Sequence, residues 1–148
     1  MKEFVTDVIV KEMELEVIDS FDSIHNYIDI TNGIIRKGAT SAQKWERLVI
    51  PLNMRDGSLI CKSKGNEDWN YSAPHGAGRV KSRSQAKKDI KMETYSEQMK
   101  DVYTTSVTQS TLDEAPDAYK PANEIIENIK DTVEIIHVLK PVYNFKAK

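Results

Sequence analysis

Residues 46–62 read ERLVIPLNMRDGSLICK. The runs "ERLVIPL" and "GSLICK" carry the β-branched and aliphatic content of strands, and the polar, glycine-containing segment Asn53–Gly57 between them suits a loop. A sheet therefore forms the centre of the reading, and the rest of the chain is placed around it.

Towards the N-terminus, "IHNYIDITNGIIRKGAT" (24–40) holds two strand-like runs around Asn32-Gly33, a pair suited to the positive φ angles of a tight hairpin turn, with His25 on the first strand. Residues 2–13 pattern as a short amphipathic helix, with a strand as the alternative because of Val5, Val8, Ile9 and Val10. Towards the C-terminus, 62–79 is irregular. Ser84 caps a predicted helix running to Met92, "SEQMKDVY" after Ser96 gives another, and "TLDEAPDAYKP" reads as an ordered loop. A helix over 121–130 and a terminal strand in "TVEIIHVLKPVYNFKA" complete the chain. The expected fold class is α/β in the mixed α+β sense, one unit over 1–148 with mixed or antiparallel strands and a few helices.

A chain of 148 residues fits one domain and can bury roughly two-thirds of its unfolded surface. Hydrophobic residues at 39% and charged residues at 30% describe a soluble globular protein, and a net charge of -2 excludes a generally basic nucleic-acid coat. Any nucleic-acid contact should depend on a local patch such as residues 79–88. The single cysteine, Cys61, excludes an internal disulfide, and no apolar run approaches the roughly 20 residues that span a bilayer. Lys2, Glu3 and Asp7 interrupt any signal-like start, so a reducing cytoplasm is the expected setting.

The segment "SAPHGAGR" (72–79) presents a histidine between a proline and two glycines, poor material for a helix or a strand. Arg79, Lys81, Arg83, Lys87 and Lys88 follow it. On residue types alone, a phosphate-handling loop and an ordinary turn leading into a solvated basic helix both fit. Asp113 and Glu114 read as capping or solvated carboxylates, His137 as a strand histidine without chemistry, and Cys61 as a small buried residue.

The motifs "RKGAT", "PLNMRDGSLIC", "SAPHGAGR", "DEAPDAYKP" and "KPVYNFKA", in this order, resemble the C-terminal part of the RtcB family of RNA-splicing ligases, from about Ile18 onward. The resemblance implies an enzyme that uses GTP and manganese to join an RNA 2′,3′-cyclic phosphate or 3′-phosphate end to a 5′-hydroxyl end. It implies that His75 is the catalytic residue, becoming covalently attached to GMP. It further implies that His25 is a metal ligand and that Asn26 contacts the nucleotide. Pro51, Leu52, Asn53, Met54 and Ser58 match the guanylate-binding segment, the backbone of Gly76, Ala77 and Gly78 and the side chain of Arg79 serve phosphates, and Lys146 reaches the guanine. Tyr119 either packs on the base or is a core or edge residue.

The family's other metal ligands belong to an N-terminal portion absent here, so the isolated chain is expected not to assemble the two-manganese site. Two classes of function follow. The chain is the guanylate-accepting portion of an RNA ligase acting in tRNA splicing or RNA repair, completed by a missing N-terminal chain; or it is a noncatalytic RNA- or nucleotide-binding fragment. No membrane partner is expected.

Overall fold

The computed structural model describes residues 2–146. Strands β4 (Arg47–Asn53) and β5 (Gly57–Ser63) are joined by the expected loop, and β8 (Val133–Leu139) pairs with β5 to give an antiparallel sheet in the order β4-β5-β8. Alternation decides which face is buried: Leu48, Ile50 and Leu52 of β4 and Leu59 and Cys61 of β5 point into one core with Ala73 and Ala77. Helix α4 (Ala122–Asn128) covers that face with Ile125, and Ile129 follows at its C-cap. Each buried aliphatic side chain contributes roughly 1.5–3 kcal/mol. Burial pushes the Cys61 thiol up to about 11, so at neutral pH it stays a protonated apolar filler.

Short pairings surround this sheet. β1 (Ile28–Asp29) and β2 (Ile34–Ile35) are antiparallel, as are β3 (Ala39–Ser41) and β6 (Ser72–Pro74), while β7 (Tyr103–Thr104) runs parallel to β9 (Tyr143–Asn144). A second core, built on Tyr95, Met99, Leu112 and Met54, packs α2 (Arg83–Asp89) and α3 (Met92–Gln98) against the 3₁₀ turns Gln109–Glu114 and Pro116–Ala118. Tyr119 touches both cores. The architecture is mixed α+β, as expected, and no described helix is long and apolar enough to cross a membrane.

Several boundaries differ from the sequence reading. Residues 2–12 form helix α1, so the strand alternative falls away. The 24–40 hairpin closes through four residues between Asp29 and Ile34. There Gly33 has φ +65°, and the Asp29 carboxylate accepts from both the amide and the side chain of Asn32, which holds the wider loop. His25 lies outside β1, in an isolated bridge to Thr40. Ser82, not Ser84, caps α2 by accepting the Gln85 amide, and the helix stops at Ile90, which is extended and buried. The helix expected after Ser96 instead starts at Met92 and ends at Gln98. The C-terminal run is split at Pro141 into β8 and β9, which pair with different partners.

Gly57 fixes the junction of this sheet with the site. Its φ is +82°, and a Cβ there would lie 1.9 Å from the Leu139 carbonyl oxygen. Gly57→Ala is therefore expected to destabilise the protein by about 3 kcal/mol, through the left-handed backbone and the backbone clash together. Urea denaturation checks this; a loss below about 1 kcal/mol would show that β8 yields at no cost.

Candidate active site

Pro51 stands on the edge strand β4, where its missing N–H breaks no ladder bond. The β4–β5 register shifts between Pro51 and Asn53, and the Pro51 carbonyl accepts the Ala77 amide at 3.0 Å. That bond docks the 75–78 loop on the sheet edge. A Cβ on Gly76 would sit 3.3 Å from the same carbonyl oxygen, and Gly78 has φ +73°, so both glycines serve the close approach and the turn. Asn53 closes the loop after β4: its Oδ1 accepts the Arg55 and Asp56 amides, and its Nδ2 donates to Asp56.

These pieces bound a cavity of about 440 Å³. Pro51, Leu52, Asn53, Met54, Ser58, His75, Gly76, Ala77, Gly78, Arg79 and Lys146 all line it, so it gathers every candidate except His25 and Asn26. Its volume falls within the roughly 300–1,000 Å³ of small-molecule sites.

His25 reaches the site from the side. Its ring stacks on His75 at 5.0 Å between centroids and 23° between planes, and both line a smaller cleft with Ser23, Thr40, Val49 and Pro51. Asn26, at φ +53°, holds this approach in place: its Oδ1 accepts the Gly38 amide at 2.5 Å, and the Gly38 carbonyl accepts the His75 amide at 3.4 Å. The Asn26 side chain thus supports the histidine pair within the structure. Among the described residues neither imidazole has a hydrogen-bonded partner. No three His, Cys, Asp or Glu side chains among them form a group able to hold a metal ion.

The far wall is a polar cluster. Arg79 donates to the Tyr119 hydroxyl at 3.0 Å, to the Lys81 carbonyl at 3.1 Å and to the Asp113 carbonyl, and its guanidinium lies 4.8 Å from the Tyr119 ring centre. Glu114 accepts from the Tyr119 hydroxyl at 2.9 Å and from Lys146 Nζ at 3.0 Å, with Arg79 Nη1 at 3.6 Å. Burial alone would raise the Glu114 carboxyl, but Lys146, Tyr119 and Arg79 together hold it below the usual carboxylate range. Burial, reinforced by the bond to Glu114, pushes the Tyr119 phenol up to about 12.

This corrects the reading of the two adjacent carboxylates. Glu114 is neither a cap nor solvated but a wall of the cavity, and Asp113 is buried against Lys87 at 3.2 Å and Arg83 at 3.8 Å. Lys81 pairs with Asp89 at 2.9 Å, so much of the basic run is neutralised internally. Asn144, which no sequence signal singled out, also lines the cavity and donates to the Met54 carbonyl at 2.5 Å, fixing the segment that carries Lys146. His137 stands on strand β8, as read from the sequence; it is exposed and does not line the cavity.

The family model "tRNA-splicing ligase RtcB" matches residues 1–147. The RNA-splicing ligase RtcB1 of Escherichia coli is 33% identical over 144 residues, covering 93% of this chain and 35% of that protein. An RNA-splicing ligase RtcB from another Escherichia coli strain is 31% identical over 149 residues, covering 97% and 36%. The tRNA-splicing ligase RtcB of Aeropyrum pernix is 33% identical over 112 residues, covering 64% and 23%. The chain spans about a third of the length of the two Escherichia coli relatives. With a family model matched along nearly its whole length, the chain belongs to the RtcB family.

Proposed function

We propose that this chain is the nucleotide-binding, guanylate-accepting part of an RNA ligase that uses GTP to join a 3′-phosphate or 2′,3′-cyclic phosphate end to a 5′-hydroxyl end, in tRNA splicing or RNA repair in the cytoplasm. The observation that carries it is the single cavity uniting the His75 loop, the β4–β5 turn and Lys146. The names of the relatives, RNA-splicing and tRNA-splicing ligases, support RNA as the substrate.

GTP is a substrate in this reading. A neutral imidazole has one ring nitrogen with a free lone pair, and His75 presents its ring at the cavity margin. Attack on the α-phosphorus forms an N–P bond as the P–O bond to the departing pyrophosphate breaks. Water first opens a 2′,3′-cyclic end to a 3′-phosphate; GMP then passes to the 3′-phosphate as the N–P bond to His75 breaks, and attack by the 5′-hydroxyl forms the phosphodiester and releases GMP. The Gly76 and Gly78 amides have no internal acceptor among the described residues and are available to phosphate oxygens, whereas the Ala77 amide is engaged by Pro51. Arg79 and Lys146 add positive charge to the walls, and Ser58 and Asn53 add polar edges.

The described residues do not fit a two-manganese site on their own, since His25 is the one candidate ligand beside the nucleophile and no ligand cluster surrounds it. Complete metal binding requires ligands from polypeptide outside these residues. By itself the chain is expected to bind manganese weakly, and the assembled ligase markedly more tightly, as calorimetry on both preparations would show. Equal, tight binding by the chain alone would show that the metal site is complete without further ligands, against this reading of it.

The lack of a ligand cluster among the described residues also favours a second reading, a noncatalytic nucleotide- or RNA-binding piece. Incubating the assembled ligase with GTP and manganese and mapping any adduct by mass spectrometry separates the two. A guanylate on His75 supports the ligase; retained nucleotide without an adduct supports the binding piece.

A further inference from the structure

We propose that Glu114 is a positioning residue that seats Lys146 for the nucleotide and ties it to the segment carrying His75. The inference rests on the nucleotide-binding reading of the cavity and assigns a task to a side chain outside the family motifs' implied site. Three parts of the chain converge on this carboxylate. Tyr119 donates its hydroxyl from the end of the 3₁₀ segment, Lys146 donates its ammonium from the C-terminal segment, and Arg79 stands 3.6 Å away at the end of the His75 loop.

A lysine side chain without a fixed partner normally loses its conformational order to solvent. Here its backbone amide donates to Ser106 Oγ at 2.9 Å, while its side chain has one ionic partner among the described residues, Glu114. The Glu114 side chain is 18% exposed and that of Lys146 is 38% exposed, so the pair lies where screening is incomplete and the ammonium remains open to a ligand. A flexible ammonium gains affinity for an acceptor when a neighbouring carboxylate has already fixed its place. Glu114 is assigned no contact with the reacting phosphorus or the nucleophile, and its effect passes through Lys146.

The test is a double-substitution cycle in the assembled ligase, read by calorimetric Kd for GMP and by the kcat and KM of guanylylation with GTP. Glu114→Gln keeps the volume and removes the charge; it is expected to weaken GMP binding and raise the GTP KM about tenfold, with kcat within about twofold. Lys146→Ala is expected to cost about the same, and the double variant about tenfold in total, because the two residues act as one unit. An additive loss near 100-fold, or a Glu114→Gln enzyme whose kcat falls with KM unchanged, overturns the proposal.

Should Glu114→Gln fail to fold, Tyr119→Phe combined with Lys146→Ala answers the same question. Tyr119→Phe would act through Glu114 on Lys146, so sub-additive losses in GMP affinity support the proposal and additive losses overturn it. An unsubstituted enzyme that forms no His75 adduct overturns the proposed function itself. Additive losses in an enzyme that does form the adduct overturn the role of Glu114 alone.

Discussion

His75→Ala is expected to abolish covalent guanylylation of the assembled ligase while leaving its fold intact. The side chain is exposed on a loop, and its ring contact is with His25, so truncation opens no core cavity and should change stability by no more than about 0.5 kcal/mol. The chemical loss, in contrast, has no substitute on the Tyr119–Lys146 wall of the cavity. Tyr119 is held protonated, with its phenol at about 12, and the Lys146 side chain is tied to Glu114, so neither is placed to take over the attack. Intact-mass measurement after incubation with GTP and manganese, beside a melting curve, would show an adduct on the unsubstituted enzyme and none on a folded variant. A guanylate that persists on the variant, mapped to another residue, would remove His75 from the nucleophile role. His25→Ala is the useful contrast: it loses the stacked ring but keeps the nucleophile, so any adduct that forms, however slowly, should still map to His75.

The parts of this site that sequence makes legible are those where local chemistry and geometry agree. Alternating apolar residues in 47–53 and 57–63 oppose each other through a short polar loop, so the hairpin and its buried face follow from pattern alone. The Pro-His-Gly-Ala-Gly run cannot continue a regular element, and it does form the loop docked on Pro51. Glu114 is illegible for the converse reason. Beside Asp113 and before Ala-Pro it resembles a turn carboxylate, and its partners at 79, 119 and 146 are brought to it only by tertiary packing. The helix ends are hidden for a similar reason: Ile90 leaves the helical conformation and buries itself in the second core, a preference that exceeds the modest helix propensities of its neighbours. A basic run counted from sequence also overstates the free charge, because Asp89 and Asp113 already pair with three of its members.

Arg79→Ala carries the second large expected effect, and the structure gives it a double origin. Its guanidinium donates in three directions, to Tyr119, to the Lys81 carbonyl and to the Asp113 carbonyl, and stands beside Glu114. Truncation leaves these acceptors with one partner fewer in a partly buried wall, a cost of about 2 kcal/mol in stability. It also withdraws a fixed cation from the cavity that would receive phosphates, where loss of one oriented donor typically slows transfer by about 100-fold or more. Arg79→Lys should recover little, since a lysine ammonium cannot meet the same fork of acceptors. Lys88→Ala serves as the comparison: this lysine is exposed on α2 and outside the cavity, so its loss should weaken RNA association and lower the salt slope without changing guanylylation. Single-turnover guanylylation and ligation, measured with salt-dependent RNA binding and urea denaturation, separate these contributions. Were Arg79→Ala to lose stability yet guanylylate and ligate at the normal rate, the guanidinium would be a strut for Tyr119 and the 3₁₀ segment, with no part in holding phosphate.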